Sequence, residues 1–293
     1  MSDGAGMVVE RFAPSPTGRL HLGHAYSALM AFRAARAAGG QFLLRMDDLD
    51  PARTRQEFID GVYEDMRWLG LDWDGAVYVT SRHTIAHQKA LQRLHDLGVI
   101  YACQCTRKDI QMAVSAPQEN ADQPPLYPGT CRGKDIPHSQ PNVALRMDMA
   151  RAIGVLGGAA AVNELSFSER DAGPNGETGQ IHLNADRLLS EVGDVVLHRK
   201  DGSIAYHLAV VIDDDIQGVT CVTRGRDLFD STPIHRLLQA LLGLRVPQYR
   251  HHRLIRDDLG RRLAKRDGDR SIASFRDAGL IPQDIWALLD SHK

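Results

Sequence analysis

The sequence predicts an α/β fold in which a parallel sheet carries helices on its faces and an inserted module interrupts the chain. Short apolar runs that suit strands alternate with segments of helical periodicity over the first 100 residues. A proline-rich polar stretch at 106–140 breaks this alternation, and strand-like and helix-like segments resume behind it. At 293 residues and 43% hydrophobic composition, the chain is long enough for one large domain or for a core with an insert.

The first elements follow the order strand, turn, helix. Residues 8–12 read as a strand, and the prolines and glycine behind them form turns. A helix is predicted from near Gly23 to the stop at 39–40. A second strand over 41–46 precedes a helix for which Thr54 and Glu57 would form a capping box.

The later elements are assigned from the same signals. A third helix is predicted after Ser81, and strands are predicted at 143–147 and 219–223. The apolar run at 205–212 suits either a strand or a buried helix, because periodicity does not separate the two. A helix is predicted at 227–242.

The bulk composition limits the partners without naming one. The formal net charge of −2 argues against a protein that coats nucleic acid non-specifically, although 35 lysines and arginines leave room for a local basic face. The N-terminus has no basic stretch followed by an apolar run, and no later segment reaches membrane-spanning length without charges. We therefore expect a cytoplasmic protein with no membrane partner and no obligate protein partner.

A motif with two histidines lies where the first strand passes into the first helix. Its centre is His21-Leu22-Gly23-His24, and a Pro-Ser-Pro turn precedes it. A helix N-terminus presents free N–H groups and the positive end of the helix dipole, so it suits a triphosphate. Gly23 lets a nucleotide approach the backbone, and both imidazoles can donate to phosphate oxygens. An isolated histidine pair is more often a surface or capping pair, but this position favours phosphate binding.

Residues 11–24 resemble the signature that opens class I glutamyl-tRNA synthetases, with His21 to His24 in the place of their His-Ile-Gly-His-type element. The likeness continues through 39–50, 205–214, 222–225 and 263–265, so it spans most of the chain. The resemblance implies a Rossmann-like catalytic domain in which His21, Gly23 and His24 bind ATP, which Mg²⁺ accompanies as part of the substrate.

The same resemblance implies how the chain is divided. Two halves, 7–100 and 190–250, form the catalytic domain, and 101–189 form an inserted zinc-binding module of the acceptor-binding type. A second signature loop and a short helical tail occupy 251–293, and no anticodon-binding domain is expected.

Glutamate carries two carboxylates and an ammonium group, so its site needs a fork-shaped donor and an acidic or hydroxyl acceptor. By resemblance, Arg11 and Arg224 are the carboxylate partners and Asp47 lies near the ammonium group. Asp47 departs from the glutamate usual in the family, which shortens the reach of the carboxylate and leaves room for a water. The glutamate-binding residues implied by the resemblance are Arg11, Phe12, Ala13, Pro14, Ser15, Asp47, Tyr206 and Arg224.

Three clustered cysteines predict one structural Zn²⁺ that holds the irregular insert. They are Cys103, Cys105 and Cys131. Chemistry alone would choose His138 as the fourth ligand, because three cysteines and a histidine are an ordinary zinc set. The resemblance implies Tyr127 instead, because some truncated relatives place a tyrosine four residues before the last cysteine. Cys221, in a predicted strand, is expected in the core.

The last motif, residues 261–266, resembles the mobile Lys-Met-Ser-Lys-Ser-type loop of the family. Lys265 matches its second lysine, which is expected to neutralise the β- and γ-phosphates as pyrophosphate leaves. Arg262 replaces the first lysine and Ala264 the serine. The resemblance thus implies His21, His24 and Lys265 as the catalytic residues.

The stretch behind Arg266 is too short for a separate domain of ordinary size. The chain therefore resembles the truncated relatives that activate glutamate with ATP and attach it to queuosine in the anticodon loop of tRNA(Asp). Two other functions stay open: a minimal glutamyl-tRNA synthetase that charges a tRNA 3′ end, and a catalytically silent tRNA-binding relative. A small-molecule nucleotidyltransferase would share the phosphate motif but would not need Tyr206, Arg224 and the zinc insert together.

Overall fold

The computed structural model describes residues 6–113, 126–255 and 271–291, without the side chains of 112, 113 and 291. Its strands are β1 Val9–Phe12, β2 Gln41–Met46, β3 Tyr78–Val79, β4 Ile100–Cys103, β5 Ala144–Met147, β6 Ser166–Glu169, β7 Gly179–His182, β8 Val196–His198, β9 Cys221–Gly225 and β10 Gln248–His252. Its α-helices are α1 Leu22–Ala37, α2 Gln56–Trp68, α3 Thr84–Asp96, α4 Arg107–Ala113, α5 Met149–Val155, α6 Ala159–Glu164, α7 Ala185–Arg187, α8 Tyr206–Ile216, α9 Thr232–Leu242, α10 Ile272–Asp277 and α11 Pro282–Ser291.

A mainly parallel sheet forms the centre of the fold. Strands β1, β2 and β3 pair in parallel in that order, and β9, β10 and β6 do the same, with β7 antiparallel at the far edge. A backbone hydrogen bond of 2.9 Å from Thr220 N to Val9 O joins the two groups of strands. The strand order therefore reverses between β1 and β9, and the crevice beyond the carboxyl ends of such strands is where α/β sheets bind ligands.

A second, antiparallel sheet lies beside the first. Its three strands are β4, β5 and β8, with Ile100 opposite Met147 and Cys103 opposite Ala144 in the first pair. Part of the range predicted as an insert thus forms this sheet. Another part enters the central sheet, because β6 pairs with β10 through Glu169 and Tyr249.

Helices α1 and α8 both contribute residues to the crevice but differ in what they bury. Helix α1 buries a row of alanines, Ala25, Ala28, Ala31 and Ala35, whose small side chains let it lie against β1 and β9. Helix α8 is buried on nearly all sides from Leu208 to Asp214, so its sequence has no polar face. This burial explains why periodicity left 205–212 undecided between strand and helix.

One local expectation was wrong, and another was confirmed only in part. Helix α2 has Arg55 at its N-cap with no side-chain hydrogen bond, and Thr54 Oγ1 is buried without a hydrogen-bond partner among the described residues. The capping box predicted from Thr54 and Glu57 is thus absent. The helix predicted at 227–242 begins as a 3₁₀ turn at Arg226–Ser231 and becomes α-helical only at Thr232. Among the described residues, no helix is both long and apolar enough to cross a membrane.

Candidate active site

A cleft of about 400 Å³ opens at the carboxyl ends of β1, β2 and β9. It brings together residues that are far apart in the sequence but were all predicted as site residues. These are Arg11, Phe12, Ala13, Pro14, Ser15, His21, Gly23, His24, Asp47, Tyr206 and Arg224. Lys265, the remaining predicted residue of this site, lies outside the described residues, as does the rest of its loop.

The two histidines of the first motif cap helix α1 reciprocally. His21 is the N-cap residue, its Nδ1 accepts from Gly23 N at 3.1 Å, and its own N–H donates to His24 Nδ1 at 3.2 Å. Because both Nδ1 atoms accept, each neutral ring carries its proton on Nε2. A Cβ at position 23 would lie 3.0 Å from the His21 ring, so glycine keeps this turn tight. The helix N-terminus at the cleft thus carries two imidazole donors.

Arg11 lies in β1, lines the cleft and pairs with a buried carboxylate. Its Nε and Nη2 donate to Asp214 at 3.0 and 3.4 Å, and Arg45 Nη1 donates to the same carboxylate at 2.7 Å. Burial alone raises the pKa of Asp214, but the charges of Arg11 and Arg45 outweigh it and leave that pKa below its ordinary value. The charge on Arg11 is therefore largely compensated within the protein.

Arg224, in β9, has a different environment. Its guanidinium donates to His251 Nε2 at 3.0 Å, to Thr232 Oγ1 at 2.7 Å, to His235 Nδ1 at 3.2 Å and to Tyr206 Oη at 3.3 Å. All four acceptors are neutral groups, and no carboxylate among the described residues contacts Arg224. The residue is 5% exposed and lines the cleft. A buried cation of this kind suits an anionic ligand.

Asp47 supplies an acceptor on the opposite side of the cleft. Ser15 Oγ donates to its Oδ2 at 3.3 Å, and Asp47 N donates to Pro14 O at 3.1 Å, which ties the carboxylate to the loop behind β1. Its Oδ1 is buried and has no hydrogen-bond partner among the described residues. Burial raises the pKa of Asp47, and the charge of Arg45 partly offsets that effect. The unpartnered oxygen is suited to a cationic group in the cleft.

The three predicted thiols form a compact cluster at the end of β4. The Sγ atoms of Cys103, Cys105 and Cys131 lie within 4.8 Å of one another. Tyr127 Oη lies 3.3 Å from Cys103 Sγ and 3.5 Å from Cys105 Sγ, and it accepts from Cys131 N at 2.9 Å. His138 packs against His95 instead, with 4.8 Å between ring centroids. Three thiols and the Tyr127 hydroxyl thus lie close together, and a tetrahedral metal site takes four such ligands.

Several residues of the cleft were missed by sequence reasoning. Asp213 lines the cleft and Asp214 pairs with Arg11; both belong to the run that resembles the family, but no role was predicted for them. Two charged residues at the end of an apolar run are a signal that they are buried and paired. No comparable signal marks Thr232, His235 or His251 as partners of Arg224, because they lie on two other elements.

A family model for the catalytic domain of class I tRNA synthetases (E and Q) matches residues 7–135 and 177–290. A glutamate tRNA ligase from Elizabethkingia meningosepticum, solved in complex with its amino acid, superposes with a TM-score of 0.69 at 26% identity. The superposition covers 90% of this chain and 53% of that one, so this chain spans about half the length of the solved synthetase. The fold is thus that of a class I tRNA synthetase catalytic domain.

Relatives with higher sequence identity indicate the subfamily within the class I tRNA synthetases. The glutamyl-Q tRNA(Asp) synthetase of Rhodobacter capsulatus is 47% identical over 288 residues, which cover 96% of this chain and 99% of that one. The enzyme of the same name from Nitratidesulfovibrio vulgaris is 40% identical over 97% of this chain and 85% of its own length. The chain belongs to the family of glutamyl-Q tRNA(Asp) synthetases, which are class I tRNA ligases. The family and enzyme class predicted from the sequence are confirmed.

Proposed function

We propose that this protein activates glutamate with ATP and Mg²⁺ and transfers the glutamyl group to queuosine in the anticodon loop of tRNA(Asp). The observation that carries the proposal is the cleft itself, which is lined by Arg224, a buried arginine with no carboxylate partner among the described residues, and by the two histidines that cap helix α1. The names of the relatives at 40% and 47% identity support queuosine as the acceptor. ATP, tRNA and reduced thiols are all found in the cytoplasm, so the proposal includes a cytoplasmic location.

The proposed reaction has two steps. An oxygen of the glutamate α-carboxylate attacks the α-phosphorus of ATP, the bond from that phosphorus to the bridging oxygen breaks, and pyrophosphate leaves. A queuosine hydroxyl then attacks the acyl carbon of glutamyl-adenylate, AMP leaves, and the hydroxyl proton passes to solvent. Both steps depend on positioning and on stabilisation of phosphate charge rather than on a protein nucleophile.

Three catalytic residues are proposed for the phosphate chemistry. The Nε2 protons of His21 and His24 would donate to phosphate oxygens, because capping of α1 occupies both Nδ1 atoms. Gly23 leaves space for the nucleotide beside them. Lys265, outside the described residues, would neutralise the departing pyrophosphate. Bound Mg²⁺ supplies further neutralisation of the triphosphate.

The glutamate would lie between the two sides of the cleft. Arg224 and Tyr206 would hold a substrate carboxylate, and Arg11 supplies a second guanidinium at the cleft wall. Asp47, supported by Ser15, would accept from the ammonium group. Phe12, Ala13 and Pro14 would shape the pocket between these polar groups.

Asp47→Asn is expected to raise the KM for glutamate by about ten- to a hundredfold, because a hydrogen bond to a charged group contributes roughly 1.5–3 kcal/mol. Glutamate-dependent ATP–pyrophosphate exchange measures the change. Asp50→Asn is the matched control, because Asp50 pairs with exposed Arg53 and does not line the cleft. Asp47→Glu restores the residue usual in the family and is expected to keep a low KM. An unchanged KM in Asp47→Asn would remove Asp47 from the ammonium site.

We also propose that Cys103, Cys105, Tyr127 and Cys131 bind one structural Zn²⁺ in the predicted insert, 101–189, between the catalytic halves 7–100 and 190–250. The closeness of the three Sγ atoms, within 4.8 Å of one another, and of the Tyr127 Oη, 3.5 Å from Cys105 Sγ, supports this proposal, because structural zinc sites take four such ligands. The Arg146 guanidinium lies 3.9 Å from the centroid of the Tyr127 ring. Burial and the hydrogen bonds with the three cysteines raise the pKa of the Tyr127 phenol, so the metal ion itself would have to favour its ionised form. The C-terminal segment, 251–293, would contain the second signature loop and a short helical tail.

The proposed acceptor is tested with labelled glutamate, ATP and Mg²⁺ and two preparations of tRNA(Asp), one with queuosine and one without. Label on the modified tRNA alone is expected. Arg224→Gln serves as the inactive control, because it removes the carboxylate partner. Charging of tRNA(Glu) in place of tRNA(Asp) would make the protein a minimal glutamyl-tRNA synthetase. Absence of both label and pyrophosphate exchange would favour a silent tRNA-binding protein.

A further inference from the structure

Arg224 is the cation on which the proposed glutamate site depends, and its partners form a chain of buried groups. Behind His251, which accepts from Arg224 Nε, lies the carboxylate of Glu169. Behind His235, which accepts from Arg224 Nη1, lies His207. Glu169, His251 and His235 are at most 2% exposed, so water does not substitute for these contacts.

The proton positions in the Glu169–His251 pair follow from the donors around them. Arginine can only donate, so His251 Nε2 must accept and the ring proton must lie on Nδ1. That Nδ1 is 2.5 Å from Glu169 Oε2, and the backbone N–H of His251 donates to Glu169 Oε1 at 3.0 Å. Glu169 therefore holds both the ring orientation and the tautomer that Arg224 requires.

The second branch is ordered in the same way. His235 Nδ1 accepts from Arg224, so its Nε2 carries the proton and donates to His207 Nδ1 at 3.1 Å. Burial, with the charge of Arg224, lowers the pKa of His235 well below its ordinary value and that of His207 to about 4. Both rings are neutral acceptors and do not cancel the arginine charge.

The arrangement differs from that of Arg11 in one decisive respect. Arg11 contacts the carboxylate of Asp214 directly at 3.0 Å, whereas an imidazole ring separates Arg224 from the carboxylate of Glu169. Attraction between charges weakens with distance, so a carboxylate one ring away compensates the guanidinium much less than one in contact. The imidazole of His251 thus fixes the orientation of the Arg224 guanidinium and leaves the positive charge of Arg224 available to a ligand.

We propose that Glu169 and His251 are positioning residues for Arg224, which hold its guanidinium in the orientation that binds the substrate carboxylate and keep a protein carboxylate out of contact with it. This inference rests on the proposed role of Arg224 in binding glutamate. Glu169 and His251 contact neither glutamate nor ATP in this scheme and act through Arg224 alone. Their effect should therefore appear in glutamate binding and in the choice of glutamate over glutamine.

The test uses glutamate-dependent ATP–pyrophosphate exchange with the full chain. His251→Phe keeps the ring but removes the acceptor, and it is expected to raise the KM for glutamate by about ten- to a hundredfold while the KM for ATP and kcat change by about twofold or less. The preference for glutamate over glutamine is expected to fall about tenfold or more. His251→Gln restores an acceptor and is expected to recover most of the glutamate affinity.

Glu169→Gln provides a second variant that removes only the charge and is expected to raise the KM for glutamate by roughly three- to tenfold. Its matched control is Glu177→Gln. Glu177 lies in the loop between β6 and β7, and among the other described residues Asn175 alone donates hydrogen bonds to its carboxylate. Far-ultraviolet circular dichroism and melting curves of each variant establish that it is folded.

The outcomes separate the two proposals. Wild-type protein without glutamate-dependent exchange contradicts the proposed function itself. Active wild type, with a glutamate KM that neither His251→Phe nor Glu169→Gln changes, overturns the positioning role. Parallel losses for glutamate and ATP, or a folded His251→Gln no better than His251→Phe, would show a general structural role and overturn it as well.

Discussion

Asp214→Asn is expected to lower the free energy of unfolding by about 3–5 kcal/mol, the range measured when one partner of a buried ion pair is removed. The carboxylate lies between Arg11 and Arg45, at 3.0 and 2.7 Å, and all three side chains are nearly inaccessible to water. Asparagine has the same shape but no charge, so two buried guanidinium groups would lose their counter-charge. Urea unfolding monitored by circular dichroism measures the change.

Asp215→Asn is the matched control, because it changes the next residue of α8 in the same way. Asp215 pairs with Arg245, whose side chain is 65% exposed, and a pair this open to solvent contributes about 0–1 kcal/mol. Asp214 joins β1 and β2 to α8 through its contacts with Arg11 and Arg45. Urea unfolding curves with similar midpoints and slopes for the two variants would contradict this stabilising role.

The effect of Asp214 also has a definite pH dependence. The charges of Arg11 and Arg45 overcome the effect of burial and hold its folded-state pKa below the ordinary value. A carboxylate with a depressed pKa contributes stability at pH values above its unfolded pKa, and that stability is lost as the pH falls through the folded pKa. The difference between wild type and Asp214→Asn should therefore be full at neutral pH and shrink only in acid.

The second large effect is expected at the thiol cluster. Cys131→Ser is expected to lower the zinc content of the purified protein from one ion per chain to below about 0.1, because loss of a thiolate weakens a structural site severely. Elemental analysis by mass spectrometry measures the metal, and a melting curve is expected to show a lower transition temperature. The insert would lose the ion that holds the end of β4 near Tyr127 and Cys131.

Cys221→Ser is the control for the loss of a buried thiol. Cys221 is buried in β9 and is not part of the cluster, so its replacement should leave the zinc content unchanged. Tyr127→Phe is expected to weaken zinc binding without removing the three thiolates. Full zinc in Tyr127→Phe together with loss of zinc in His138→Ala would show that the fourth ligand is His138.

Local sequence patterns determined a large part of the fold. The strand, the Pro-Ser-Pro turn and the histidines at the start of α1 are contiguous, so their geometry is set by residues within one or two turns of each other. The spacing of Cys103 and Cys105 likewise predicted two neighbouring thiols, which the structure places at the end of β4. Turn chemistry and capping preferences predicted the start of α1, whereas the equally local capping signal at Thr54 and Glu57 failed at α2, where Arg55 is the N-cap residue.

Tertiary structure decided the features that depend on contacts between distant elements. Asp214 lies 203 residues from Arg11, and no local pattern joins them. Burial of seven consecutive residues, Leu208 to Asp214, hid the helical character of α8, because a helix that is buried around its whole circumference lacks the alternation from which helices are predicted. The position of Tyr127 rather than His138 beside the thiols depends on how the segment behind the proline-rich stretch returns to β4.

Arg224 shows most clearly which features the sequence predicts and which ones the tertiary structure decides. Its proposed role as a carboxylate partner came from resemblance along the sequence. The neutral acceptors around it, and Glu169 one imidazole away, come from α8, α9, β10 and β6, which only the tertiary fold brings together. The sequence by itself determined which residues carry charge and where the helix at the nucleotide motif begins. The tertiary structure decided which charges are compensated, because compensation depends on distances in space that local sequence does not encode.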